Sequence, residues 1–290
     1  MRGIIMIAFI ISVANKSIGQ SNGTTFSFDY TIAPITNDGI DFNKTGFKMS
    51  IPVKLKNGLL LHALSTDIYQ FNYTNNYGFS TTDLSIVNDI NYTLKYTHSF
   101  SDTWRLNSQT GISIVSNLAA DISYNDLLLS AEVSITKIIK KHTPEALTVG
   151  LNYSTITGRP RILPIINYIK QVSEKFSYGI GFPKTFVEYK VTDLSTLKSS
   201  LSVDGFYSNL SHSIFVNVTD EANRASFSST LLSLEYEYKM DNYWNIVFKG
   251  GYALSNTYKL VDYEDNTIFN FNTKPEPFFS AGIKFNIKTK

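Results

Sequence analysis

The four histidines are the residues with the widest chemical range, because histidine binds zinc and transfers protons near neutral pH. His62, His98, His142 and His212 stand far apart, and no pair has a spacing suited to a shared zinc ion. The chain also lacks a Gly-x-Ser-x-Gly nucleophile motif, a phosphate-binding glycine loop and a dinucleotide-binding fingerprint. The sequence therefore predicts no catalytic, cofactor-binding or metal-binding residue, and no enzymatic activity.

A second group of polar residues lies near the carboxyl end. Asp262, Glu264, Asp265 and Asn266 bring together oxygen-bearing side chains, the ligands that Ca²⁺ prefers. Their spacing is not that of a calcium-binding loop. We interpret this segment as a solvated loop, with calcium binding as the alternative.

The composition excludes several classes of protein. The 290 residues include no cysteine, which rules out a disulfide scaffold, a thiolate zinc site and a cysteine nucleophile. The formal net charge of +2 gives no strong electrostatic case for nucleic-acid binding. Charged residues make up 17% of the chain, below the roughly 25% of soluble domains.

The amino-terminal segment has the pattern of an export signal. Arg2 precedes an apolar run from Ile4 to Val13, and small or polar residues follow it. Ten apolar residues rise only about 15 Å as a helix, which is half of a bilayer core. We predict a secretory signal peptide over residues 1–19, with a single domain over 20–290.

Beyond that segment, apolar and polar residues alternate with period two. Successive side chains of a strand point to opposite faces, so the pattern predicts strands with one apolar and one polar face. We see no convincing amphipathic helix. Clear examples are the apolar sets Phe47–Leu55, Ile90–Tyr96, Leu147–Tyr153, Leu232–Tyr238 and Phe279–Ile287.

The links between strands are of two kinds. Short turns occur at 56–58, 101–103, 142–145, 173–175, 192–195 and 241–242, while longer polar links cover 75–83, 117–126, 207–226 and 255–276. Their tendency to alternate is typical of an up-and-down strand meander. The turns predict an all-β, up-and-down transmembrane antiparallel β-barrel of about 14 strands. Merging the glycine- and proline-interrupted region 175–191 gives 12 strands as the alternative.

Alternation alone also fits a soluble β-sandwich, which turns its apolar face inward. Several predicted strands are longer than the usual 5–6 residues of globular sheets, and aromatic residues gather near strand ends. Trp104 and Trp244 are examples of such residues beside short turns. These features favour a barrel with lipid outside and a polar lumen, because a membrane-spanning sheet must close on itself. A secreted sandwich remains the alternative.

The stretch from Gly158 to Tyr189 contains Gly-x-Pro-Arg-x-Leu-Pro, then Tyr168, then Gly-x-Gly-Phe-Pro-Lys. It resembles a family of Gram-negative outer-membrane β-barrels of unknown function. The resemblance implies location and architecture but no activity. Prolines cannot donate to a strand ladder, so those of this stretch should mark strand starts, bulges or kinks. Arg159 and Arg161 then lie at one mouth or line the lumen, or else they are solvated turn residues.

The leading hypothesis is a porin-like outer-membrane β-barrel, acting as a passive channel or transporter for a small solute. Its expected partners are outer-membrane lipids and the barrel-assembly machinery, and it needs no cofactor and no nucleic acid. One alternative is a lipid-modifying enzyme with His98 on the lipid-facing side, although Phe100 rather than serine stands two residues on. The other is a secreted β-sandwich that binds a ligand.

Overall fold

A computed structural model describes residues 23–33, 39–140 and 144–287. The predicted signal peptide, residues 1–19, lies outside the described residues. Among the residues that the structure describes, no helix is long and apolar enough to cross a membrane. The described strands are β1 (Thr24–Ala33), β2 (Ile40–Leu55), β3 (Gly58–Tyr73), β4 (Ile86–Ser99), β5 (Trp104–Ser116), β6 (Leu127–Lys140), β7 (Glu145–Ser154), β8 (Arg161–Gln171), β9 (Phe176–Phe182), β10 (Lys184–Lys190), β11 (Ser195–Phe215), β12 (Glu221–Lys239), β13 (Trp244–Val261), β14 (Thr267–Asn270) and β15 (Glu276–Ile287).

The sheet closes on itself as an antiparallel barrel. Strands β1 to β13 each pair with the next strand along the chain, β13 pairs with β15, and β15 returns to β1. The closing ladder aligns Thr24 with Ile287. Among the described strands, the short β14 pairs with β13 alone and stands outside this ring. The ring therefore has 14 strands, and the 14-strand prediction is confirmed.

The two ends of the barrel differ. Short links, the start of β1 and the end of β15 share one end, here named the turn end. The opposite end, named the loop end, carries the links 74–85, 117–126 and 262–275. Two short 3-10 turns, Thr82–Leu84 and Tyr124–Asp126, lie in these links. The predicted turn at 142–145 is only partly described, because residues 141–143 lie outside the described ranges.

Two predicted long loops have the wrong bounds. β11 continues to Phe215 and β12 begins at Glu221, so the link expected over 207–226 contains only residues 216–220. Likewise, β13 runs to Val261 and β14 occupies part of the link expected over 255–276. These strand segments pack against protein on both faces, so polar and small residues replace the regular alternation of apolar and polar side chains. The sequence pattern therefore did not indicate that they are strands.

The region 175–191 forms two separate strands, so the 12-strand alternative is wrong. β9 and β10 have seven residues each and meet at Pro183 at the loop end. Seven residues rise about 23 Å along a strand, and about 18 Å along the axis of a barrel with the usual tilt. That is less than the roughly 25 Å apolar band of outer-membrane barrels. The barrel wall is therefore shorter at β9 and β10 than this apolar band.

The outer surface of the barrel is apolar. Every second residue along a strand places an aliphatic or aromatic side chain on the outer surface, where it is exposed. The residues between them face the interior. A soluble sandwich would bury such residues between two sheets. The closed ring with this exposed apolar surface does not fit the sandwich alternative. Representative exposed residues are Phe28, Leu129, Val149, Ile166, Leu234 and Phe279.

Candidate functional site

The interior near the turn end carries charges of both signs. These side chains alternate with the exposed apolar residues of the same strands, so they point inward. The inward acidic residues are Asp29, Asp67, Asp89, Glu132, Glu188, Asp204, Glu235 and Glu237, and the inward basic residues are Lys44, Lys48, Lys95, Arg105, Lys184, Lys198, Lys249 and Lys284.

The interior ion pairs join adjacent strands as well as strands that are further apart. Nζ of Lys198 lies 3.0 Å from Oε2 of Glu188 on the neighbouring strand. Lys284 on β15 contacts Glu237 on β12, two strands away across β13, with 2.6 Å between Nζ and Oε2. One pair instead crosses the interior, because Nζ of Lys44 on β2 lies 3.2 Å from Oδ2 of Asp204 on β11. The two walls therefore approach each other at this level.

A cavity of about 370 Å³ lies beside this crossing, lined by Asp29, Lys48, Asp67, Lys249 and Lys284 among others. Gly46 makes room for the carboxylates on its two neighbouring strands. A Cβ at Gly46 would lie 2.8 Å from Oδ1 of Asp29 and 2.9 Å from Oδ1 of Asp67. The cavity is thus lined by charges of both signs and suits a small polar or ionic solute.

Towards the loop end the interior is filled by an apolar core. Tyr69 and Phe71 on β3 pack against Phe206 on β11, with ring centroids 4.9 Å and 6.1 Å apart. Phe71 also stacks on Tyr258 of β13 with 5.1 Å between ring centroids. Phe42 of β2 contacts Phe227 of β12 edge-on, with 5.7 Å between ring centroids. These contacts join opposite walls across the barrel. Further members of the core are Leu84, Val87, Val115, Leu210, Ile214, Ala222, Ala225, Phe227, Leu260 and Phe271.

The loop-end halves of β11 and β12, residues 205–228, form a hairpin that we name the capping hairpin. It crosses to the far wall, where Asn209 makes a parallel bridge to Ser116 of β5. Its main-chain N–H at Ser211 donates to Oδ1 of Asn117 at 3.0 Å. The link between β5 and β6 therefore holds the capping hairpin from the opposite side.

Asp126, in the link between β5 and β6, fixes the same contact. Its Oδ1 accepts a hydrogen bond from Nδ2 of Asn209 at 2.8 Å, and its Oδ2 accepts from the main-chain N–H of Ser123 at 2.6 Å. Burial alone would raise the pKa of the Asp126 carboxyl, but these hydrogen bonds outweigh it and lower that pKa below its ordinary value. The carboxylate is therefore held in its ionised form.

The histidines occupy separate places. His98 lies on the lipid-facing side of β4, with Nδ1 3.0 Å from the hydroxyl of Tyr96 and its ring 4.9 Å from Phe100. His62 bonds to the Tyr92 hydroxyl at 2.7 Å, also on the outer surface. Nδ1 of His212, on the capping hairpin, lies 3.8 Å from a carboxylate oxygen of Asp83. His142 lies outside the described residues.

The acidic segment 262–266 forms hydrogen bonds among its own residues. Oδ1 of Asp262 accepts main-chain hydrogen bonds from Glu264 and Asn266, at 2.8 Å and 2.9 Å. Hydrogen bonds from Asn266 and the nearby N–H groups lower the pKa of the Asp262 carboxyl. Within the described ranges, no group of three or more histidine or acidic side chains is placed to hold a metal ion.

Arg159 and Arg161 lie at the loop end, beside the short strands β9 and β10. Arg159 is exposed in the link between β7 and β8. Arg161 begins β8 opposite Ser154 of β7, on the parity that faces the interior. Their predicted role at a mouth or in the lumen remains a prediction.

Sequence reasoning missed the apolar core. A signal was present, because Tyr69, Phe71 and Tyr73 continue the inward parity of Asp67, and Phe206 continues that of Asp204. Large aromatic residues in phase with the charged face indicate that the lumen is filled at that level. The charged face predicts a polar interior and leaves open whether inward side chains plug it, and at the loop end such side chains do fill it.

The solved structures that resemble this chain include porins of very low sequence identity. No curated protein matches the chain. The NanC porin structure is 9% identical, covers 91% of this chain and 100% of its own, and gives a TM-score of 0.41. OprB of Pseudomonas putida is 8% identical over 91% and 93% of the two chains, with a TM-score of 0.40. The KdgM porin is 10% identical over 90% and 99%, with a TM-score of 0.35. A family model described as a domain of unknown function (DUF6268) matches residues 46–286, and the chain belongs to that family.

Proposed function

We propose that this protein is an outer-membrane barrel that acts as a passive channel for small charged or zwitterionic solutes. The observation that carries the proposal is the division between an exposed apolar outer surface and an interior lined by charges of both signs. Unpaired charges cost free energy in hydrocarbon but are readily solvated in a wet lumen. Such a barrel is expected to be inserted by the barrel-assembly machinery and surrounded by outer-membrane lipids.

The apolar core at the loop end is the barrier to passage in this channel. Phe206 of the capping hairpin contacts Tyr69 and Phe71 of the opposite wall, so these side chains occupy the space where an open channel would run. Passage therefore requires the capping hairpin to separate from β3, which breaks its contacts with Asn117 and Asp126. We expect infrequent openings of the native protein.

Ion conductance in planar bilayers tests both parts of this proposal. Gly205 and Ser228 face each other in the β11–β12 ladder, so an Asn-Gly turn can replace residues 206–227. We expect the native protein to show infrequent openings and the shortened variant to show steady conductance at least about tenfold higher on average. Heat-modifiable gel migration of both proteins provides the control for folding.

The conductance results distinguish the channel proposal from the proposal that the apolar core is its barrier. Absence of conductance from both folded proteins contradicts the channel. Equal, steady conductance from both supports the channel but contradicts the apolar core as its barrier. The lipid-modifying alternative is tested in parallel with a phospholipid panel, where hydrolysis that is lost in His98→Ala would replace the channel proposal.

A further inference from the structure

The charged cavity of about 370 Å³ is lined by charges of both signs, and half of them form no ion pair with another described residue. The charged side chains that do pair form Lys44–Asp204 and Lys284–Glu235. The four others are Asp29, Asp67, Lys48 and Lys249. Opposite charges that face one cavity without meeting can be neutralised together by a solute that carries both signs.

The register of the sheet gathers the two unpaired carboxylates around Gly46. Asp29 on β1 and Asp67 on β3 stand opposite Gly46 on its two neighbouring strands. A Cβ at Gly46 would lie 2.8 Å and 2.9 Å from the two carboxylate oxygens of Asp29, and 2.9 Å from Oδ1 of Asp67. Like charges this close repel each other unless a cation lies between them. The space above Gly46 therefore suits an ammonium group.

Asp29 is the carboxylate that a solute can contact. Glycines stand opposite it on both neighbouring strands, Gly46 on β2 and Gly282 on β15, so no side chain covers it from either strand. Asp67 is more enclosed, because its Oδ1 is buried and has no hydrogen-bond partner. Asp67 therefore acts on a cation mainly through its negative charge, which the surrounding protein screens less than water does.

The two unpaired ammonium groups reach the same cavity from β2 and β13. Lys48 lies two residues beyond Gly46 on the same face of β2, which separates their Cα atoms by about 7 Å. Lys249 extends from β13, with its Nζ 5.5 Å from the ring centroid of Phe278. Because the side chain of lysine is long and flexible, both groups can approach the carboxylate of a solute whose ammonium lies above Gly46.

The cavity is reached from the turn end, because the apolar core fills the barrel on the opposite side. Towards the turn end, the side chains of Lys284 and Glu237 remain 38% and 29% exposed. A volume of about 370 Å³ lies near the lower end of the range of small-molecule sites. The cavity therefore suits a compact solute, such as a single amino acid.

We infer that this cavity binds a small zwitterion of the amino-acid class. The ammonium group of the solute lies above Gly46 against Asp29, and its carboxylate meets Lys48 and Lys249. The inference rests on the proposed function, since it names the solute class of that channel, but binding at the cavity does not itself require conduction.

Protection of a single cysteine tests binding at this cavity. The chain lacks cysteine, and Ser27→Cys places one in the lining, between Lys48 and Lys284 in the sheet. Gln109→Cys on β5 is the matched control, because Gln109 also faces the interior but does not line the cavity. Each refolded protein reacts in detergent, at constant ionic strength, with methyl methanethiosulfonate, a small neutral thiol reagent. The solutes are L-alanine, ethylammonium, which lacks the carboxylate, and propionate, which lacks the ammonium.

We expect L-alanine to halve the reaction rate of Ser27→Cys at a concentration about fivefold lower than either analogue, since one solvated ion pair contributes up to roughly a factor of five. The control cysteine should not be protected. With Asp29→Asn and Asp67→Asn added, L-alanine should protect no better than propionate. With Lys48→Gln and Lys249→Gln added, it should protect no better than ethylammonium.

Two further double variants control for the change in total charge. Glu174→Gln with Asp193→Asn removes two negative charges from exposed turn-end links, and Lys56→Gln with Lys175→Gln removes two positive charges there. Both should retain the preference for L-alanine. Retained heat-modifiable migration of every variant shows that folding is intact.

Equal protection of Ser27→Cys by L-alanine and either analogue would overturn the inference, as would a preference that survives the cavity substitutions. Equal protection of the control cysteine would also overturn it. Selective protection in a folded barrel without conductance would refute the channel and leave the binding site standing. Conductance without selective protection would refute the binding site alone.

Discussion

The ammonium group of Lys44 on β2 and the carboxylate of Asp204 on β11 lie 3.2 Å apart across the interior of the barrel. Their strands are not neighbours, since β1, β15, β13 and β12 lie between them on the shorter path round the ring. The pair stands just below the point where Phe206 meets Tyr69. It therefore joins the charged interior to the apolar core.

Lys44→Met should destabilise the barrel by about 1–3 kcal/mol, because it removes a charged hydrogen bond and leaves Asp204 without its partner. Urea unfolding in lipid vesicles measures the change. A double-mutant cycle with Asp204→Asn should give a clear coupling free energy. Lys48→Met, on the same strand and face, is the matched control and should show clearly weaker coupling with Asp204→Asn. Equal coupling for both lysines would contradict a specific pair.

Gly205→Ala should destabilise the barrel by about 1–3 kcal/mol through overpacking, since the new methyl group meets main-chain carbonyl oxygens of Ile156 and Phe227. Those atoms are main-chain atoms of the β7–β8 link and of β12, which pack against each other, so neither moves cheaply. Gly250→Ala is the control, because a Cβ there faces lipid and lies 3.6 Å from the nearest atom, in Phe279. Thermal unfolding in detergent compares the two variants. Similar melting temperatures would show that the link does not pack against Gly205.

Acidification should loosen the link that holds the capping hairpin. The folded-state pKa of the Asp126 carboxyl is lowered, so its ionised form contributes stability at neutral pH, and this contribution is lost as the pH falls below 3.8 and through the folded-state value. The chain lacks cysteine, so Ala119→Cys carries a single spin label. Label mobility should rise in that pH range.

In the Asp126→Ala background the same label should be mobile already at pH 7 and should change little on acidification. A label at an exposed turn-end position, Lys175→Cys, controls for general unfolding and should not respond. If the label at position 119 stays immobile in Asp126→Ala at pH 7, the carboxylate does not hold this link.

The folded chain should behave as an outer-membrane barrel in simple biochemistry. We expect it to fractionate with the outer membrane, to require detergent for solubility and to migrate faster on a detergent gel when unheated than when boiled. The physical reason is the belt of exposed apolar residues, which includes Leu129 and Phe279. A processed chain that stays monodisperse in plain buffer would contradict this placement.

The strand pattern of this protein could be derived from its sequence. Alternation such as Phe47 to Leu55 specifies which face of a strand is apolar, because the side-chain period is two whatever the strand packs against. Turn residues such as Asn57–Gly58 set where strands reverse, and counting them gave the 14 strands of the ring. These signals are local, so one chain is enough to show them.

Only the tertiary structure decided what fills the barrel. Phe206 and Tyr69 are far apart in the sequence and share the inward parity of charged residues, so local alternation did not reveal that they meet. The lengths of β11 and β12 were likewise hidden, because a hairpin packed on both faces loses its simple pattern. The short wall at β9 and β10 likewise follows from the register of four strands at once, since the ladders on either side of this hairpin end at Ile166 and Ser202. Local sequence sets the faces and turns of each strand, whereas closure of the ring determines which inward side chains meet.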